Sequence, residues 1–347
     1  MLYVSSLASI AAASARSPTA QFPLEPNTIL TPSQSLTLDS IPLLGFGTSD
    51  LDTRNASEAV SWAIQVGYRH IDCDPAYKNQ DLVGKGIADG LNKTGLRRED
   101  LWITSKLQSR QYVPQSLFLT TNPQSQQLTT STPSYKTQKK VTQSLTTTLH
   151  DLQLSYLDLY HLPYAATSPH KPHHLQPSNP QLLATWSYMT TLIPLNLTHH
   201  IGLANFPPPA LETLLNATSH PPATHQLTNL NPSSPQPDFL AFHQDRGIHV
   251  TASSPLTSSR ISRRYNTAAQ VLLETSVLAR IARERGCSSP AQVALAWGLR
   301  RGTSVLPSGG EKGRIEEFFG AIECEILEED LARVDALGFV GEAGLRV

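Results

Sequence analysis

The stretch Gly67-Tyr-Arg-His-Ile-Asp72-Cys-Asp74-Pro-Ala-Tyr77-Lys-Asn79-Gln80 holds the residue types best suited to chemistry. Asp72 ends a short β-like run, and Tyr77 follows in the loop behind it. A phenol is a poor proton donor at neutral pH unless a cation stabilises its phenolate. Lys106, closing Trp102-Ile-Thr-Ser-Lys106, could supply that cation, and Asp72 could hold the lysine in an ion pair. His161, at the end of a fourth β-like run, could hydrogen-bond a substrate oxygen. Each residue alone has an ordinary explanation: loop tyrosines pack, strand-end lysines meet solvent, and Asp72 could cap the next helix. Placement of all four at neighbouring strand ends points instead to proton transfer at a substrate oxygen.

The elements needed to position them recur along the chain. Short β-like runs occupy 43–48, 69–72, 101–106, 157–161, 200–204, 224–230, 248–253 and 303–306. Helical periodicity lies near 55–66, 79–91, 139–152, 181–193, 207–217, 236–246, 289–300 and 312–320. This alternation implies parallel strands with crossover helices. Eight such strands favour an α/β fold of the (β/α)8 TIM barrel type over an open doubly wound sheet. Chemistry then belongs at the C-terminal strand ends, where the second, third and fourth strands are neighbours. No GxGxxG follows a strand, since Gly45-Phe-Gly47 and Gly84-Lys-Gly86 are too short for an open dinucleotide-binding fingerprint.

The expected organisation is a loosely packed or disordered leader over 1–39 and a barrel over 40–340, interrupted by a low-complexity insertion at 108–140. The insertion is rich in Ser, Thr, Gln and Pro and lacks apolar anchors, which favours disorder over a lid. A second loop, 165–180, carries His170-Lys-Pro-His-His174 with no carboxylate or cysteine at ligand spacing, so no metal site is expected.

With 27 basic and 28 acidic residues, neither charge sign dominates, and a nucleic-acid or anionic-membrane partner is not indicated. No run of about 20 apolar residues is available to span a bilayer. The N-terminus ends in Ala13-Ser14-Ala15, but it lacks a basic segment and is broken by serines. A cytoplasmic location is therefore expected, with secretion the minor alternative. Sequons begin at Asn55, Asn92, Asn196 and Asn216 and matter only for a secreted chain. Cys73, Cys287 and Cys324 form no CxxC pair and read as separate free thiols. The oligomeric state is not legible, and a monomer suffices.

Gly67–Asn79 is similar to the aldo-keto reductase signature, and further motifs follow in the family's order. Leu44-Gly-Phe-Gly-Thr48 resembles its first strand, and Tyr156-Leu-Asp-Leu-Tyr160 its fourth. Ile201-Gly-Leu-Ala-Asn205-Phe206 resembles the fifth, His225-Gln226 with Asn231-Pro232 the sixth, and Ser289-Pro-Ala-Gln-Val-Ala-Leu-Ala-Trp297 the helix before the last strand. The resemblance implies reduction of a small-molecule carbonyl with NADPH (NADP+) extended across the barrel mouth and no metal. Tyr77 would be the general acid, Lys106 and Asp72 would lower its pKa, and His161 would orient the carbonyl. Asn205 and Gln226 would bind the nicotinamide carboxamide, and Ser254 and Leu256 would line the pyrophosphate. Thr48 and Ser308 fall at cofactor-contacting positions, Arg314 would reach the 2′-phosphate, and Glu317 the adenine.

The chain departs from the family's pattern at several places. Tyr160 and His161 are adjacent where the family separates tyrosine and histidine by two residues. At a rise near 3.3 Å per residue, that withdraws His161 by about 6.6 Å. The aromatic that stacks on nicotinamide is Ser253, the serine before Asn205 is Ala204, and the lysine near the 2′-phosphate is Ser308. Beside the active-reductase reading stands a catalytically impaired barrel that binds nucleotide or regulates a partner.

Overall fold

The computed structural model describes residues 41–344 apart from 50, 53, 109–137, 165–179, 229 and 257–275. The leader over 1–39, most of the 108–140 insertion and the His170–His174 run lie outside the described residues.

Eight parallel strands follow one another in chain order: β1 (Phe46–Gly47), β2 (His70–Asp72), β3 (Trp102–Lys106), β4 (Leu157–Pro163), β5 (Thr198–Ala204), β6 (Thr224–Thr228), β7 (His249–Ser253) and β8 (Ser304–Leu306). Parallel bridges Leu44↔Val305 and Gly47↔Ser308 join the first strand's segment to the last, closing the barrel. Between the strands run α1 (Ala56–Val66), α2 (Gln80–Thr94), α3 (Gln138–Leu152), α4 (Pro180–Thr190), α5 (Pro208–Ala217) and α6 (Pro237–Gln244). After β7 come α7 (Ser276–Arg285) and α8 (Pro290–Arg300), and after β8 come α9 (Lys312–Phe319) and α10 (Glu328–Gly344).

Sequence periodicity explains both layers. Along the strands, Ile71, Ile103, Tyr160, Ile201, Leu203, Leu227, Val250 and Val305 join one buried apolar cluster with helix residues such as Val60, Ile64, Leu145 and Leu214. The alternate positions are polar and equally buried: His70, Asp72, Thr104, Lys106, His161, Thr224, Gln226, Thr251 and Ser304. A barrel interior is usually filled by branched apolar side chains. Here it is filled by hydrogen-bonding ones, which must find partners inside the barrel. Deeper in, Trp102 stacks on His200 with ring centroids 5.6 Å apart.

Helix starts use residues suited to them. Pro208, Pro237 and Pro290 stand at first helical positions, and Ser289 accepts a hydrogen bond from the Gln292 amide at the start of α8. Two helices, α7 and α10, were not anticipated, although Leu278, Ile281 and Ala282 of α7 are spaced for one buried face. The thiol expectation is corrected as well: Cys287 and Cys324 form a disulfide, and only Cys73 is free, buried beneath the mouth. The bond ties the turn between α7 and α8 to the chain following the 3-10 turn Gly320–Ile322.

Candidate active site

The C-terminal ends of β2 and β3 build the centre of the site. The register Asp72↔Thr104 sets these strands side by side, and Lys106↔His161 sets β4 beside β3. The Lys106 ammonium lies 3.1 Å from Asp72 Oδ2 and 3.6 Å from Asp74 Oδ2, and it donates to the Cys73 carbonyl at 3.3 Å. Asp72 Oδ1 accepts from the Thr104 hydroxyl at 2.6 Å and from the Gln226 amide at 2.9 Å. The carboxylate thus accepts from two other strands, β3 and β6. Its backbone carbonyl also accepts from Thr48 Oγ1 at 2.9 Å, and Asn79 Nδ2 donates to the Thr48 carbonyl.

Tyr77 is delivered by local turn chemistry. Asp74, not Asp72, is the capping residue: its side chain accepts from the Ala76 amide and starts the 3-10 turn Pro75–Tyr77. Lys78 in the left-handed region at φ 58° ends that turn. The half-buried Tyr77 ring thereby lies with its centroid 5.6 Å from Lys106 Nζ.

Electrostatics follow from burial and from these contacts. Burial pushes the Tyr77 phenol up, and Lys106 pulls it down, but burial and two nearby carboxylates prevail and leave it at about 12. The expected lowering is not found: Lys106 acts in that direction, but Asp72 acts against it, and Tyr77 keeps its proton at neutral pH. Burial alone would discharge Lys106, yet Asp72, Tyr77 and Asp74 raise it above its ordinary value. Burial likewise opposes the Asp72 charge, and Lys106, Thr104 and Gln226 more than offset this, holding the carboxyl below its usual range.

The structure brings Asp72, Tyr77 and Lys106 together and holds His161, opposite Lys106 in the β3–β4 register, buried in the barrel interior. β4 does not stop at His161 but continues to Pro163. His161 is 1 % exposed; its Nε2 lies 2.8 Å from Thr224 Oγ1, and its Nδ1 has no partner among the described residues. Gly202 makes this seat possible, since a Cβ there would lie 2.3 Å from Thr224 Oγ1 and 2.8 Å from His161 Cδ2. Burial and the Lys106 charge lower the imidazole to about 3, so the ring is neutral.

The residues expected at a cofactor lie around the rim. Asn205 stands just past β5 in the left-handed region at φ 58°, and its amide spans to β6, donating to Thr228 Oγ1 and accepting from the Thr228 amide. Gln226 turns inward to Asp72. Ser253 hydrogen-bonds Thr228 at 3.2 Å, Ser254 takes φ 54°, and Leu256 packs against the core. Ser308 lies 3.4 Å from Ser49 between their hydroxyls. Glu317 is half-buried, and its carbonyl accepts from Gln292 Nε2.

Arg314 is exposed, and its guanidinium makes no ion pair with a described residue. Gly309 and Gly310 leave the backbone bare beside it: added Cβ atoms would lie 2.9 Å from Arg314 Cδ and 2.7 Å from Asn55 Nδ2. These glycines make room for the Arg314 and Asn55 side chains, and an exposed guanidinium over the Phe318 ring, without an ion pair among the described residues, suits a phosphate group. Thr104, Asp74, Thr224 and Thr228 are participants that sequence reasoning missed. Strand parity with Lys106 and Gln226 was the available signal for all but Asp74.

Comparison with known proteins agrees with this geometry. The profile of the Aldo/keto reductase family matches residues 43–338. An aldo/keto reductase of Synechocystis is 34 % identical over 307 residues, covering 86 % of each chain. Aldo-keto reductase family 1 member A1 of Gallus gallus is 32 % identical over 310 residues, covering 86 % of this chain and 85 % of its own. The solved aldose reductase of Giardia lamblia superposes with a TM-score of 0.68 at 29 % identity, covering 86 % of this chain and 92 % of its own. That of Schistosoma japonicum gives 0.68 at 26 %, with 88 % and 94 % covered. With a lysine–carboxylate pair under the loop tyrosine at the mouth of an eight-stranded barrel, the chain belongs to the aldo/keto reductase family and is an NAD(P)H-dependent oxidoreductase acting on carbonyl compounds.

Proposed function

We propose that the protein reduces an aldehyde or ketone to the alcohol with NADPH, and that Tyr77 delivers the proton. One observation carries the reading: the Tyr77 ring beside a lysine that Asp72 and Asp74 hold charged. NADPH, when bound, supplies the hydride that reaches the carbonyl carbon. Tyr77 Oη gives its proton to the carbonyl oxygen as negative charge develops there, and Lys106 stabilises the phenolate left behind. The phenolate then recovers a proton from water.

The exposed Arg314 would take the 2′-phosphate, with Ser308 and Glu317 nearby, and Ser254 and Leu256 would border the pyrophosphate. Thr48 shapes the rim through Asp72 and Asn79. Because Gln226 is engaged by Asp72, the nicotinamide carboxamide would fall to Asn205. The Asn205 amide keeps one N–H and one oxygen lone pair beyond its bonds to Thr228. His161 is left out of the carbonyl contact because its Nε2 is engaged by Thr224.

That last observation also favours a second reading, a barrel that binds nucleotide without turnover. Following NADPH absorbance over a panel of aldehydes and ketones separates the two. Turnover that drops about a hundredfold or more in Tyr77→Phe supports the general-acid role. NADPH binding with no consumption of any carbonyl selects the second reading.

A further inference from the structure

Behind the Asn205 turn runs a buried hydrogen-bond chain that the chemistry above does not use. The Phe206 amide donates to His225 Nε2 at 2.9 Å, His225 Nδ1 meets His243 Nε2 at 2.7 Å, and His243 Nδ1 meets the Phe239 carbonyl at 2.5 Å. Only one proton arrangement satisfies it. Nε2 of His225 must be bare to accept, so its proton sits on Nδ1 and points at His243. Nε2 of His243 must then be bare, and its Nδ1–H serves the carbonyl of Phe239. Both rings are neutral, and each fixes the other's tautomer.

The surroundings enforce that state. Phe206 and Phe239 present edges to His225 at 6.3 and 5.9 Å, and Phe239 and Phe242 flank His243 at 4.4 and 5.6 Å. The charged or titratable groups that bear on the pair are His161 from β4 and Arg246 beyond α6, and neither favours a positive charge. At the other end stands Asn205, a non-glycine residue in the left-handed region. Such a conformation persists only where its surroundings over-determine it. The Asn205 amide N–H donates to the Gln226 carbonyl, its side chain is tied to Thr228, and the next amide is tied to His225.

We propose that His225 and His243 are positioning residues: locked in one tautomer, they hold the Asn205–Phe206 turn in the strained conformation that presents Asn205 to the nicotinamide carboxamide. The proposal rests on the cofactor reading above. His243→Leu leaves the His225 Nδ1–H without an acceptor, so the proton can shift to Nε2 and oppose the Phe206 amide. His243→Gln keeps an acceptor oxygen in reach and should rescue.

The test measures affinity for NADPH and, separately, for 2′,5′-ADP, which carries only the adenosine phosphates. The expected result is NADPH binding about fivefold weaker in H243L, roughly one hydrogen bond's worth, with H243Q near wild type and 2′,5′-ADP unmoved in both. NADPH affinity unchanged in H243L, or lost in parallel with 2′,5′-ADP affinity, overturns the proposal alone. Wild-type protein that binds neither ligand overturns the cofactor reading and this proposal together. Should H243L not fold, nitrogen NMR of the wild-type histidines decides: bare Nε2 on both rings is expected, and a protonated Nε2 on His225 overturns the proposal.

Discussion

Replacing Asp72 with asparagine tests whether the buried ion pair sustains both fold and site. The pair spans 3.1 Å with both side chains nearly inaccessible. At an effective dielectric constant of about 20, that separation corresponds to about 5 kcal/mol of attraction. Asparagine can keep its oxygen toward Thr104 and Gln226, but its amide nitrogen then faces the Lys106 ammonium, donor against donor. Removing one partner of a buried pair costs about 3–5 kcal/mol, and Asp74 at 3.6 Å retains part of the attraction. The expected loss is therefore near the lower bound, about 3 kcal/mol, which in a chain of this length lowers the melting temperature by about 4–5 °C. Urea unfolding followed by fluorescence of the four tryptophans measures it. Lys106→Met should restore part of the stability of D72N, because it removes the stranded cation. Additive effects within about 0.5 kcal/mol in this double-mutant cycle would refute the reasoning.

Acid should weaken the fold through histidines buried in neutral form. Burial and neighbouring positive charge hold His161 at about 3 and His249 at about 4, so below pH 6.5 the unfolded chain binds protons that the folded chain refuses. Stability present above pH 6.5 is lost as pH falls toward these values, about 2 kcal/mol per histidine at pH 5; equal unfolding free energies at pH 7.5 and 5.0 would sink the assignment. The disulfide closes a loop spanning 37 residues, which in the chain-entropy account is worth about 4 kcal/mol. Urea-unfolded protein should expose one titratable thiol without reductant and three with it; three in both conditions would exclude the bond.

What the sequence revealed and what it withheld divide along local versus closed-barrel geometry. Strand–helix alternation located all eight strands because outward positions must be apolar to meet the helices, whatever fills the interior. Asp72, Lys106 and Tyr77 were legible because strand ends and a Pro-containing turn are local features. The withdrawal of His161 was legible in the two residues missing before it, whereas the run of β4 on to Pro163 was not, since Leu162-Pro163 reads like a strand stop. Proline's fixed φ is nonetheless compatible with extended backbone at the last register position, opposite Ala204. The Gln226–Asp72 bond crosses the barrel between strands four apart in order, so no spacing along the chain encodes it. The Cys287–Cys324 pairing is of the same kind, set by how α8 packs on the segment after α9.

A polar interior makes stability and chemistry share the same bonds. Asp72 alone joins Lys106, Thr104 and Gln226, so a substitution there alters the packing of three strands along with the charge beside Tyr77. Loss of activity in D72N or K106M is therefore ambiguous unless folding is measured beside it. Tyr77 differs: it is half-buried on a capped turn, and its hydroxyl makes no hydrogen bond to a described residue. Removing that one oxygen leaves the Lys106–Asp72–Thr104 network whole. Y77F should thus unfold like wild type while losing the proton it would have donated, and only this substitution separates the acid from the scaffold that holds it.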